Sequence, residues 1–229
     1  MLSETLGLRL RFKEFPLVKS RFNKILSFFL VFGPAMLLVF IGTRSCEHKF
    51  EVLDDFGVVP AFEFTDASGV KRSSKEFEGE LVLINTLQSS CPDSCSVLMW
   101  HLNQTIYQHV WKNKTKKTKK IRMISFLIDD QGNPVEDLSV INDAVRDLAE
   151  NYDPSIWILA TGDVKSIYNL KNNGVTLTNE GLKFQELMLL LDKQSHLRMV
   201  LSGNVEGQIR RMKQSMALLQ KQYDKQAAK

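Results

Sequence analysis

Residues 81–95 read LVLINTLQSSCPDSC, and the order of residue types in this stretch decides the fold. Leu81–Leu87 is short and nearly all apolar, the pattern of a strand buried on both faces. Gln88-Ser89-Ser90 ends it, and Cys91-Pro92 follows. Proline suits the first turn of a helix, where its missing N–H costs nothing. Val97, Leu98, His101, Leu102 and Thr105 then continue at helical spacing. The expectation is a buried strand that hands over to a helix with two cysteines at its start.

Cys91 and Cys95 stand four residues apart. One helical turn brings such positions to a Cα separation of about 6 Å, within reach of a disulfide. A helix N-terminus offers partial positive charge and unpaired N–H groups, which lower a thiol's pKa toward the reactive range. The same two sulfurs suit a soft cation such as Cu(I). The spacing is therefore compatible with both thiol redox work and copper. Three blander readings compete with function. Inert helical cysteines are disfavoured by Pro92 and Asp93 between them, a permanent structural disulfide stays open, and zinc lacks further Cys or His at matching spacing.

Downstream, Ile121–Ile128 (IRMISFLI) reads as a second strand closed by Asp129-Asp130-Gln131-Gly132. Leu138, Ile141, Val145 and Leu148 mark one face of a helix. Trp157–Ala160 is a short strand ending at Thr161-Gly162, and Asp163 is placed to cap a helix through about Lys171, with Val164, Ile167 and Leu170 inward. Leu187–Leu191 and Leu197–Leu201 flank Asp192–Ser195 as a β-hairpin. A last helix from about Val205 buries Ile209, Met212, Met216 and Leu219. Upstream of the decisive stretch, Phe62–Phe64 alternates before an Asp66–Gly69 turn. Alternating strands and helices make an α/β protein, and their order is thioredoxin-like: a central mixed sheet flanked by helices.

Four segments now line up with the Sco/SenC family in order and spacing. They are Cys91-Pro-Asp-Ser-Cys95, Ser125-Phe-Leu-Ile-Asp129, Trp157-Ile-Leu-Ala-Thr-Gly162-Asp163 and Leu190-Leu-Asp-Lys-Gln-Ser195. The resemblance covers about residues 56–220. It implies copper held by Cys91, Cys95 and a histidine, and a role in maturing the copper centre of cytochrome c oxidase or in reducing its thiols. Pro92 and Asp129 are the supporting residues it suggests. The histidine is missing: its place falls at Phe184 or Gln185, and neither is a ligand suited to Cu(I). His101, His109, His48 and His196 all lie away from that place, and Met99, at i+4 from Cys95, is a soft donor that reads more simply as core. The alternatives are a general exported thiol-disulfide oxidoreductase or a non-catalytic redox-sensing partner. The first lacks the usual Cys-x-x-Cys and has no proline before Leu187. A thiol peroxidase is disfavoured because Gln88 stands where a Thr or Ser would precede the cysteine.

Toward the N-terminus, residues 25–43 (ILSFFLVFGPAMLLVFIGT) carry no charge. At about 1.5 Å per residue they match the hydrocarbon thickness of a bilayer, and Gly33-Pro34 is tolerated there. The run is long for a signal peptide and ends at a poor cleavage site. Arg9, Arg11, Lys13, Lys19, Arg21 and Lys24 precede it, so the positive-inside rule keeps residues 1–24 in the cytoplasm and exports the rest. A single-pass protein of the inner membrane follows, its domain periplasmic; a mitochondrial inner membrane is the second choice. Residues 44–55 read as a tether, 56–220 as the domain and 221–229 as a polar tail.

Net charge is +4, but six lysines fall within Lys112–Lys120, so the balance does not argue for nucleic acid. That run reads as a solvated loop or as a docking patch for an acidic partner or anionic lipid. The expected partners are a cytochrome oxidase subunit or another exported thiol protein, together with the membrane. Cys46, the third cysteine, is free or pairs between chains.

Overall fold

A computed structural model describes residues 21–45, 53–90, 92–113, 121–164, 167, 171–172, 175–176, 187–203 and 205–227. The chain divides into two units, Met1–Lys49 and Phe50–Lys229.

The first unit holds one helix, α1 (Arg21–Ser45), with Pro34 inside it. Its side chains are described for residues 26–40, and the large apolar ones are exposed all round, from Leu30 at 73% to Phe32 at 52%. Among the described residues no helix is long and apolar enough to cross a membrane.

In the second unit, β1 (Glu63–Asp66) turns through Asp66–Gly69 into β2 (Lys71–Ser73). The Asp66 carboxylate accepts from the N–H groups of Ser68 and Val70, and Gly69 supplies the positive φ of 80° that the turn requires. A 3-10 turn (Ser74–Phe77) leads to β3 (Leu81–Gln88), the central strand. Then come α2 (Pro92–His101), a π-helical segment Leu102–Tyr107 and α3 (Gln108–Lys112), in uninterrupted succession. β4 (Ile121–Ile128), α4 (Ser139–Leu148) and β5 (Trp157–Thr161) complete two parallel crossovers. A small pair, β6 (Lys171–Asn172) and β7 (Val175–Thr176), precedes the hairpin β8 (Leu187–Leu191) and β9 (Leu197–Ser202), and α5 (Glu206–Ala227) ends the fold.

Seven strands form one sheet in the order β2-β1-β5-β4-β3-β8-β9. β3–β4 and β4–β5 are parallel; the other pairs are antiparallel. This is the expected thioredoxin-like α/β arrangement, a mixed sheet with helices against it. One face packs α2, α3, α4 and α5 through Leu98, Leu102, Val110, Val145, Ile209, Met212, Met216 and Leu219. The other is closed by Phe62, Phe64, Phe77, Val164 and Ile167. Leu81 through Leu87 are all buried, as an all-apolar central strand must be.

Four details differ from the sequence reading. The segment given to the tether already belongs to the fold at Leu53, which packs against the helical face, while Phe56 and Gly57 exchange backbone bonds with Leu197. The helical spacing from Val97 breaks: Val97 is 57% exposed, and the π segment adds a residue so that Leu98, Leu102, Ile106 and Tyr107 stay buried. Lys171 stands in β6; of the helix expected before it, Val164 and Ile167 are buried and the other positions lie outside the described residues. α5 runs to Ala227, past residue 220, because Tyr223 still packs on the core and the Lys193 ammonium sits 4.7 Å from its ring centroid.

Candidate functional site

β3 carries the chain to the start of α2, whose backbone includes Cys95. Its eight residues pair in register with β4, from Leu81↔Ile121 to Gln88↔Ile128, so Cys91 follows at the end of the sheet where β4 also ends. The exposed Ser89 is tied down by its N–H to the Ile128 carbonyl at 2.9 Å, and the Ser90 hydroxyl donates to the Asp130 carboxylate. Pro92 is the first residue of α2, as its missing N–H favours. Cys91 and the side chains of residues 92–95 lie outside the described residues; the backbone of Cys95 is in α2.

β8 runs antiparallel to β3, with Asn85 opposite Met188. Its first residue, Leu187, therefore lies at the same end of the sheet as the exit of β3. Phe184 and Gln185, the positions that replace the expected histidine, are outside the described residues, as are His48, Cys46 and residues 114–120 of the lysine run.

The other candidate ligands are placed away from the tip or are otherwise engaged. Met99 is 5% exposed inside the helical-face core, so its sulfur is packing. His101 stacks edge-on against Trp100 at 5.0 Å. His109 is exposed near the start of α3, farther along the same helical run. His196 sits at the far end of the sheet, where its Nδ1 is 2.8 Å from Asp55 Oδ2. Among the described residues no three His, Cys, Asp or Glu side chains gather as a metal cluster.

Asp129 is a turn aspartate. Its Oδ1 accepts from the N–H groups of Gln131 (2.8 Å) and Asn133 (2.7 Å), and its Oδ2 from the Asn133 amide (2.9 Å). These bonds shape the loop after β4. Asp130, its neighbour, is the carboxylate that reaches the segment before Cys91. The Asp129-Asp130 doublet carried that information, but nothing in the pattern ranks one above the other.

Below the tip lies a polar network that periodicity does not announce. Asn85, Ser125 and Trp157, on β3, β4 and β5, are all buried. Ser125 Oγ donates to Asn85 Oδ1 at 2.8 Å and accepts from Trp157 Nε1 at 2.9 Å. The bonds lace the three parallel strands together beneath the site, with each buried polar group satisfied by the next. Asn85, which with Thr86 interrupts an apolar run, was the available signal.

The family model described as SCO1/SenC matches residues 53–223. The chain belongs to the SCO1/SenC family. No curated protein matches it. Among solved structures it is similar to BsSco, described as a member of the Sco family of cytochrome c oxidase assembly proteins with a disulfide switch. That match has 16% identity and a TM-score of 0.52, covering 75% of this chain and 98% of BsSco. A SCO1/SenC family lipoprotein from Bacillus anthracis str. Ames matches at 16% identity and TM-score 0.49, over 74% of this chain and 96% of that one. Yeast Sco1 matches at 17% and 0.44, over 68% and 94%. At these identities the likeness to solved structures is one of fold. The family match begins at Leu53, the first residue of the tether segment found in the fold.

Proposed function

We propose that this SCO1/SenC protein is an exported, membrane-anchored thiol-disulfide exchange protein that acts through Cys91 and Cys95 in assembly of a respiratory cytochrome oxidase. The observation that carries the reading is the Cys91-x3-Cys95 pair at the handover from the central strand to α2, in a chain without histidine at the place the family uses for its third copper ligand. Exchange needs only the two sulfurs; a three-ligand copper site needs more.

The chemistry balances with two thiols. The Cys91 thiolate attacks one sulfur of a target disulfide, forms a mixed disulfide and expels one target thiolate. The Cys95 thiolate then attacks Cys91 Sγ, releases the second target thiolate and leaves a Cys91–Cys95 disulfide. Two electrons pass to the target, and a dithiol reductant restores the pair. Position at a helix N-terminus favours the attacking thiolate. Replacing Cys95 by Ser traps the mixed disulfide on Cys91, and Cys91→Ser prevents it. Trapping that needs neither cysteine contradicts the reading.

Copper carriage is the second reading, favoured by the donor set: two thiolates are soft ligands matched to Cu(I). Copper here is cargo. Cu(I) titration of the reduced full chain against a competing chelator tests it, and affinity unchanged in Cys91→Ser sinks it.

The anchor is residues 25–43. Its support is the uncharged run in the sequence and the exposure of its apolar side chains on every side of α1. The basic residues before it put the N-terminus in the cytoplasm and the domain on the exported side. Retention in the membrane pellet after alkaline carbonate extraction is the expected result.

A further inference from the structure

The outward face of α5 carries basic residues toward both of its ends. Arg210, Arg211, Gln214, Ala217, Lys221 and Lys225 are exposed, while Ile209, Met212, Met216 and Leu219 face the core. Spacings of three and four residues align Arg210, Gln214, Ala217, Lys221 and Lys225 in one stripe, about 22 Å long at 1.5 Å per residue. The helix holds two acidic residues: Glu206 pairs with Arg210, and Asp224 accepts from the Gln220 amide. Lys112 ends α3, whose His109 and Val110 line a cleft shared with Lys213 and Met216 of α5.

Charge on this side of the domain is segregated. α4, packed on the same face of the sheet, is acidic on balance: it presents Asp143 and Asp147 against one cation, Arg146, and is flanked by Glu136, Asp137 and Glu150. A merely solvated surface has no need of that division; a surface that meets an anionic plane does.

The point at which the chain enters the domain says which plane. Leu53 lines a cleft of about 160 Å³ with Arg198, Leu201 and Arg211. Its carbonyl accepts from Arg198 Nη2 at 2.8 Å. The chain therefore joins the domain beside Arg211, in the first turns of α5. Val205, 50% exposed immediately before α5, adds an apolar contact at that end.

We infer that the α5 stripe is a docking surface for the anionic lipid headgroups of the bilayer in which the chain is anchored. The inference rests on the anchor proposed above. Docking α5 orients the domain on the membrane and presents acidic α4 to the aqueous side.

The test uses the full chain reconstituted in vesicles, with a photo-crosslinking amino acid placed at Gln214 or, as the control on α4, at Asp147. The vesicles contain phosphatidylcholine alone or with about 30% phosphatidylglycerol. Crosslinking to lipid is expected from position 214 in the anionic vesicles. It should fall about fivefold or more between roughly 0.05 and 0.5 M salt, as screening shortens the reach of surface charge. The combined Arg210→Gln, Arg211→Gln and Lys221→Gln variant should lose it too, and position 147 should not crosslink. Equal crosslinking at 214 and 147, insensitivity to salt and to phosphatidylglycerol, or crosslinking from 214 to protein alone overturns the inference. Carbonate extraction of the same vesicles separates the two claims. A retained chain silent at 214 leaves the anchor and removes the docking surface; an extracted chain that still crosslinks at 214 does the reverse.

Discussion

At the hairpin end of the sheet, Asp192 is nearly sealed from solvent, yet its carboxylate accepts from Gln194 and His196 N–H groups and pairs with Arg198 at 3.0 Å. Arg198 in turn donates to the carbonyls of Leu53 and Asp54, and His196 meets Asp55, so the entering segment is fastened along β9. At the cysteine end, β3 stops at Gln88 and the exposed Ser89 and Ser90 are held by one backbone bond and one hydroxyl bond before Cys91. One end ties the chain to the sheet; the other leads from β3 into α2, the segment that carries the cysteines proposed to react. If the cysteines react as proposed, stability and chemistry stand at opposite ends of the sheet, and each should be removable without the other.

The largest expected effect tests the tip. Cys91→Ser should abolish disulfide exchange, a loss of at least about a thousandfold given that no other thiol replaces the attacking one. The denaturation midpoint of the reduced protein should not move. A matched loss of stability would break the division.

Next comes the hairpin. Arg198→Ala leaves the Asp192 carboxylate buried without its cation and should cost about 3 kcal/mol in chemical denaturation. The exchange rate of the fraction still folded should be that of the native protein. A smaller effect is expected between the two ends: Ser125→Ala removes the partner of both Asn85 and Trp157 and should cost about 1–3 kcal/mol. Because these bonds lie under the tip, a change in exchange rate here would show that the two ends are coupled through the strands.

The smallest effect is with pH. Asp55 is held below the ordinary carboxylate range, first by the Gly57 N–H and then by the His196 bond. Glu76 is held down by the Ser73 N–H and by Arg72. A depressed carboxylate stabilises the fold above its unfolded pKa and loses that contribution as pH falls through the folded one. Stability should therefore decline below about pH 4. Both side chains are largely exposed, so the decline is modest, and Asp55→Asn should flatten part of it.

Much of this architecture was legible because burial is written in the strands. LVLINTL and IRMISFLI are short, mostly apolar runs, and two such runs with a helical pattern between them leave little choice but a parallel crossover. The start of α2 was legible too, because Pro92 suits a first helical turn. The π segment after His101 was not, because one extra residue shifts the periodicity only after the fact. Nor was the fastening of Leu53–Val59 to β9, which depends on backbone bonds and on Asp55 meeting a histidine 141 residues away. Such long-range polar pairings leave no local pattern, and the Asn85–Ser125–Trp157 bonds are invisible for the same cause.

The central claim is that Cys91 and Cys95 exchange thiols and disulfides, and the reduction potential of the pair in the full chain tests it most directly. Equilibration with a series of thiol redox buffers should give a value above about −300 mV, in the range of pairs that cycle with partners. A value well below that would mark a permanent structural bond and contradict the account.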